Sequence, residues 1–176
     1  MDVQERIRNT VTENSVIATT PLPVPRSSTA GAVSLIACGA FTTPKQMPQS
    51  ERLVSLYRDL VACIAEYQPD SAGVEELFFA KNVSTALTVG QARGVALLAL
   101  GQAGVDIHEY KPMFVKQTVA GYGKADKAQM QEVVRMTLRM QTIIKPDDAA
   151  DAVAIALCHL YNCLLYTSDA ATNREV

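Results

Sequence analysis

Residues 73–94 read GVEELFFAKNVSTALTVGQARG, and this stretch decides the fold. Val74 and Leu77 are strand formers, and alternation along a strand places Glu75 opposite Val74. A carboxylate in an otherwise apolar, buried strand needs a partner, because an unpaired buried charge is costly. A base, a cation or a metal would each serve. Phe78, Phe79, Lys81 and Asn82 form the turn that follows, and Asn82 suits the N-cap of the next helix. There, apolar or small residues at Val83, Ala86, Leu87, Gly90, Gly94, Leu97, Leu98 and Gly101 recur with helical period. The middle of that stripe, Ala86, Gly90 and Gly94, is small. Glycine costs a helix about 1 kcal/mol relative to alanine. The stripe therefore predicts close approach of another backbone, from the sheet beneath or from a second copy of the helix.

Working outward, Ser34–Thr43 reads as a strand, and Gln49–Tyr67 as an amphipathic helix with Leu53, Leu56, Leu60 and Ile64 in its stripe. Val105–Tyr110 is a short strand, parallel to the Glu75 strand because a helix intervenes. Lys124–Met140 and Pro146–Leu160 read as helices, the first preceded by the flexible turn Gly121-Tyr122-Gly123. Strands alternating with helices predict an α/β fold.

The chain has 176 residues, 48% of them hydrophobic, which is enough for one domain with a sizeable core. A net charge of -2 means that any nucleic-acid site must be a local patch. The four cysteines show no CxxC pair and no metal-ligand spacing, and Cys38, Cys63 and Cys158 read as small buried residues in a reducing compartment. No apolar run approaches the ~18 residues of a membrane helix, and no signal peptide precedes the domain, so a cytoplasmic location with no membrane contact is expected. Residues 1–32 form an atypical segment, with a possible strand at Val16-Ile17-Ala18 and then Pro21, Pro23 and Pro25, which exclude a central strand. Residues 33–162 form the folded domain. Residues 163–176, opening CLLYTSDAA, resemble translated adapter sequence, a tail of non-native character in which no function is expected.

Two further clusters carry chemistry. Between Lys111 and Arg139 six basic residues (Lys111, Lys116, Lys124, Lys127, Arg135, Arg139) face two acidic ones (Asp126, Glu132), a local charge of +4. This is either a solvated helix face or a phosphate-contacting patch. Asp147, Asp148 and Asp151 open the last helix. Acids in a first turn complement the helix dipole, which accounts for Asp147 and Asp148. Asp151, inside an alanine-rich apolar helix, is less well explained. Glu75, Asp148 and Asp151 could converge at the end of the sheet, and an all-oxygen set suits Mg²⁺ or Mn²⁺. His159, lone in an apolar helix, reads as structural.

Four blocks, VEELFFAKN, ALTVGQARGVA, VKQTVAGYGKADKAQM and DDAADAVAIALCH, resemble in order and spacing the RuvC-type Holliday junction resolvases, over roughly residues 34–161. The resemblance implies a ribonuclease-H-like fold, a five-stranded mixed sheet flanked by helices, whose first strands are disrupted or replaced here. It implies structure-specific, metal-dependent hydrolysis of four-way DNA junctions in recombination and repair. Two Mg²⁺ ions would be held by Glu75, Asp148 and Asp151, with Lys116 and Lys127 at the scissile phosphate. Phe78, Lys81, Asn82, Lys116, Lys124 and Lys127 would contact DNA, Phe78 as a wedge against bases. It further implies a homodimer, for which Ala86, Gly90 and Gly94 offer an interface, working with the branch-migration proteins RuvA and RuvB. Members of the family open on a strand ending Gly-Ile-Asp-Pro-Gly, whose Asp is the first metal ligand. Here no Asp lies between Asp2 and Asp59. A junction-binding protein without nuclease activity, or a fragment of a resolvase gene, is the alternative.

Overall fold

The computed structural model describes residues 33–76 and 83–172. The elements run α1 (Gln49–Tyr67), β1 (Ser71–Glu75), α2 (Val83–Gln102), β2 (Asp106–Tyr110), α3 (Pro112–Ala120), α4 (Lys127–Thr137) and α5 (Asp147–Thr172). The two strands pair in parallel, Ser71 opposite Asp106 through Glu75 opposite Tyr110. Hydrogen bonds from Asp106 N to Asp70 O (3.2 Å) and from Glu76 N to Tyr110 O (2.9 Å) extend the ladder at both ends.

Strand alternation sorts the molecule into two layers. Ala72, Val74 and Ile107 turn to one face and pack with Leu56, Leu60 and Ile64 of α1 and Ala99 and Leu100 of α2. Ser71, Gly73, Tyr110 and their neighbours turn to the other, where the second core is built from Val115 of α3, Met130 and Val134 of α4, and the Ala149–Cys158 face of α5. Gly73 is required by this packing. A Cβ there would lie 3.1 Å from His159 Cβ and 3.2 Å from Ile155 Cγ2, so glycine lets α5 settle against the strand without displacing either side chain. Gly121 ends α3 in the left-handed conformation, φ 72°, that glycine adopts without steric cost.

The parallel pair, α1 and α2 stand where the sequence predicts them. The differences are instructive. Ser34–Thr43 is not a strand: it runs extended with a single bridge at Ala37, and Val33, Leu35 and Cys38 pack their side chains on the α3–α5 core instead. Among the described residues the sheet has two strands, not five. The basic segment splits in two. Pro112 at a helix N-terminus starts α3, which the sequence reading missed. Asp126 then caps α4 with a reciprocal box, its side chain accepting from Gln129 N (2.8 Å) while Gln129 Oε1 accepts from Asp126 N (2.9 Å). Lys124 therefore sits in the turn before α4, and α4 stops at Thr137 rather than Met140. Helix α5 runs on to Thr172, past the expected end at Leu160. Cys63 and Cys158 are buried, as expected, while Cys38 is half-buried. Val16-Ile17-Ala18, Phe78, Phe79, Lys81 and Asn82 lie outside the described residues. No described helix is long and apolar enough to cross a membrane.

Candidate active site

Glu75 is the last residue of β1 and, by strand alternation, lies on the α5 face with Ser71 and Gly73. It is not buried mid-strand as the sequence suggests: it reaches solvent at the strand end. Enough protein still surrounds it to raise its pKa, burial being the larger cause and the negative charge of Asp151 the second. The two carboxylates are thus brought together from different elements. Asp151 is likewise exposed rather than poorly solvated, its side chain 54% accessible.

Lys127, first residue of α4, sits over the start of α5. Its Nζ lies 3.3 Å from Asp147 Oδ2 and 3.6 Å from Asp151 Oδ2. Against a desolvation effect that lowers it, the charges of Asp151 and Asp147 hold the Lys127 pKa above its ordinary value. Asp147 accepts from Lys145 Nζ at 2.7 Å and from Gln131 Nε2 at 3.1 Å. These bonds, with Lys127 third, hold its carboxyl down at about 2. Asp147 is therefore a permanent anion that fixes Lys127, a fuller role than capping. Asp148 is half-buried in the same first turn and makes no ion pair among the described residues.

Lys116 stands half-buried on α3, also without an ion pair among the described residues. The turn between it and Lys127 is rigid. Gln117 donates from Nε2 to Gly121 O (2.9 Å) and accepts from Gly123 N (3.0 Å), which clips both flanks of Tyr122. Lys116, Lys124 and Lys127 thus come from a helix, a clipped turn and a capped helix start.

Arg93 was missed by the sequence reading, although it is the lone charge in the Val83–Gln102 helix. Its Nε donates to Glu75 O at 3.1 Å, and its guanidinium pairs with Glu109 of β2. Arg93 thus ties α2 to both strand ends and holds the backbone that carries Glu75. Ala86, Gly90 and Gly94 lie on the opposite side of α2 from Ala96, Ala99 and Leu100, which enter the core. Among the described residues a Cβ at Gly90 or Gly94 would meet nothing within 4 Å, so neither glycine packs on the β1–β2 strands.

Among the described residues no three His, Cys, Asp or Glu side chains stand close enough to hold a metal ion as placed. Glu75 and Asp151 approach each other, while Asp148 is brought beside them only by its place in the same helical turn. The donor set is nonetheless one that a hard divalent cation suits. It is all oxygen, two of its members repel each other, and a lysine ammonium already neutralises part of it.

Over residues 18–159 the sequence matches the profile of the family described as crossover junction endodeoxyribonuclease RuvC. It is similar to the protein of that name from Chloroflexus aurantiacus, 67% identical over 131 residues, covering 74% of this chain and 80% of the relative. The Heliobacterium modesticaldum protein of the same name is 56% identical over 126 residues, 72% of this chain and 78% of the relative. Among solved structures, Thermus thermophilus RuvC superimposes with a TM-score of 0.73 at 31% identity, covering 87% of this chain and 98% of that one. T. thermophilus RuvC in complex with Holliday junction substrate superimposes with a TM-score of 0.69 at 31% identity, covering 76% and 82%.

Proposed function

The chain belongs to the RuvC family of crossover junction endodeoxyribonucleases, with its ribonuclease-H-like α/β fold, and from that premise we propose how its residues divide the work. The family activity is endonucleolytic hydrolysis of DNA at four-way junctions, and it is metal-dependent. Glu75, Asp148 and Asp151 are the carboxylates that would hold divalent cations, two Mg²⁺ (or Mn²⁺) ions per subunit. Bound there, such ions would supply an activated water and charge stabilisation at the leaving 3′ oxygen. Lys127, already on Asp151, and Lys116 across the clipped turn face the phosphate and offset the charge that develops on it. Lys124 adds a third cation to this patch, and Phe78, Lys81 and Asn82, which follow β1 in the sequence, would contact DNA. Arg93 keeps Glu75 at its post.

The observation that carries this reading is the approach of Glu75 to Asp151 from separate elements, close enough to raise the Glu75 pKa. Two carboxylates gathered against their mutual repulsion favour a positive ligand, part of whose charge Lys127 already supplies at Asp151. Two equivalent phosphates in a four-way junction call for a symmetric reader, and the outer face of α2, with Ala86, Gly90 and Gly94, offers the dimer contact. By the same family reasoning the dimer acts in the cytoplasm with the branch-migration proteins RuvA and RuvB. The test is Glu75→Gln, which keeps volume and removes charge. Metal-dependent nicking of a synthetic four-way junction should fall to background while junction binding stays near parental. Parental cleavage by the variant would remove Glu75 from the site.

A further inference from the structure

His159 is the one buried polar side chain among the described residues, 4% exposed, and the chemistry above makes no use of it. Its two ring nitrogens reach two different strands. Nε2 lies 2.7 Å from Ser71 Oγ, at the first residue of β1, and Nδ1 lies 2.8 Å from Tyr110 Oη, at the last residue of β2. The imidazole therefore braces the strand pair diagonally from end to end, with both bonds anchored on α5. Gly73, between the two contacts, lets the His159 Cβ approach the strand backbone. Tyr110 is itself paired in register with Glu75, and its carbonyl accepts from Glu76 N at 2.9 Å.

We propose that His159 is a positioning residue for the carboxylate site, setting the placement of β1, which carries Glu75, against α5, which carries Asp148 and Asp151. This rests on the reading that those three carboxylates bind divalent cations. Apolar contact between α5 and the strands resists separation but not sliding or rotation, because dispersion has little directional preference. Two hydrogen bonds from one rigid ring to the two ends of the ribbon do fix rotation. A rotation of the ribbon about its middle would be magnified at its end, where Glu75 meets Asp151. Such outer partners typically change metal affinity by about 10- to 100-fold. The ring is also well placed to stay neutral. Burial and then the neighbouring His108 lower its pKa, against the opposing charge of Asp106, so that near pH 7 one nitrogen donates and the other accepts. His108 lies against it with ring centroids 4.8 Å apart and the ring planes tilted by 38°, and Cys163 Sγ lies 3.7 Å from both nitrogens.

The experiment measures Mn²⁺ binding directly, by loss of the free-ion electron paramagnetic resonance signal, on the full chain without DNA. Three proteins are compared with the parent. The triple variant Ser71→Ala/Tyr110→Phe/His159→Leu removes every polar atom of the brace together and leaves no orphaned donor, so it should unfold near the parental temperature. Tyr110→Phe alone removes one bond and one oxygen, the mildest change. Glu75→Gln reports on the site itself. The expected result is a Mn²⁺ affinity at least about tenfold weaker in the triple variant and intermediate in Tyr110→Phe, with Glu75→Gln weakened as well. Parental affinity in both brace variants beside a weakened Glu75→Gln would overturn the proposal and leave His159 a packing residue. Parental affinity in Glu75→Gln would instead overturn the carboxylate site, and the positioning role with it.

Discussion

The two faces of the β1–β2 ribbon are built to different ends. On the α1–α2 face, Ala72, Val74 and Ile107 meet aliphatic side chains, and α2 turns its small stripe away to open space. On the α3–α5 face, directional polar contacts recur: Ser71 and Tyr110 on His159, Asp151 on Lys127, and Asp147 on three donors. One face is held chiefly by apolar burial, with Arg93 tying α2 to the strand ends, and carries the small stripe on its outer side. The other is held by directional bonds, and it is there that Glu75 and Asp151 approach. Placement of charge needs direction, which hydrophobic contact does not supply.

If the polar face is a cation site, its charge count should control its rate. Glu75, Asp148 and Asp151 supply three carboxylates, and the resemblance implies a fourth from an opening strand, yet no Asp lies between Asp2 and Asp59. Replacing residues 1–32 with a strand ending Gly-Ile-Asp-Pro-Gly should therefore raise Mg²⁺-dependent nicking of a synthetic four-way junction by at least about a hundredfold. Side-by-side assays yielding equal rates would show that three carboxylates suffice.

A smaller effect is expected from the cations on the same face. Lys116→Ala and Lys127→Ala should each slow cleavage by about tenfold or more and weaken binding less. Each should lower the salt slope of junction binding by about one ion at most. Lys127→Ala also leaves Asp151 without its 3.6 Å partner, so it should be the more damaging of the pair. If both variants cleave at the parental rate, the +4 segment is only a solvated surface.

The two faces should also answer one substitution with opposite signs. Gly73→Ala places a methyl 3.1 Å from His159 Cβ and should destabilise by about 1–3 kcal/mol. Gly90→Ala places it in open space inside a helix and should stabilise the isolated subunit by up to about 1 kcal/mol. Thermal unfolding of the two variants decides the comparison. At the same position Gly90→Leu should yield monomers in sedimentation, since a large side chain blocks close backbone approach. A surviving dimer would move the interface off the outer face of α2.

Much of this was legible in the sequence because periodicity reports which side of an element is apolar. It placed α1, α2, β2 and the parallel pairing. It failed where tertiary contacts decide. Ser34–Thr43 has strand-forming residues, yet in the structure packs Leu35 and Cys38 on the α3–α5 core instead of joining a ladder. The split of the basic segment turned on Pro112 and Asp126, local start signals that were present but passed over. Asp147 was readable as a cap, but two of its three donors, Gln131 and Lys127, lie 16 and 20 positions away along the chain, which no local pattern shows. His159 was read as structural because a sequence cannot show that its two nitrogens reach different strands.

The smallest expected effect is a pH dependence confined to the polar face. The folded state lowers the pKa of His159 below its ordinary 6.5, chiefly through burial. The unfolded chain therefore takes up a proton first as the pH falls, and the stability that neutral His159 contributes is complete above 6.5 and lost through the lowered folded value. Asp147, held down at about 2, contributes above its ordinary 3.8 and loses its contribution only in much stronger acid. Glu75 acts the other way. Its raised pKa makes the folded protein the better proton binder, so its ionisation costs stability as the pH rises through and above 4.5, and acid relieves that cost. The His159 and Glu75 contributions thus have opposite signs, and comparison with a variant that keeps Glu75 and Asp147 but lacks His159 isolates the histidine. Unfolding temperatures at pH 7.5 and 5.5 should thus fall slightly more in the parent than in the Ser71→Ala/Tyr110→Phe/His159→Leu variant, which has nothing to protonate at that place. An identical drop in both would mean that the brace carries no proton linkage and that the acid sensitivity arises elsewhere in the chain.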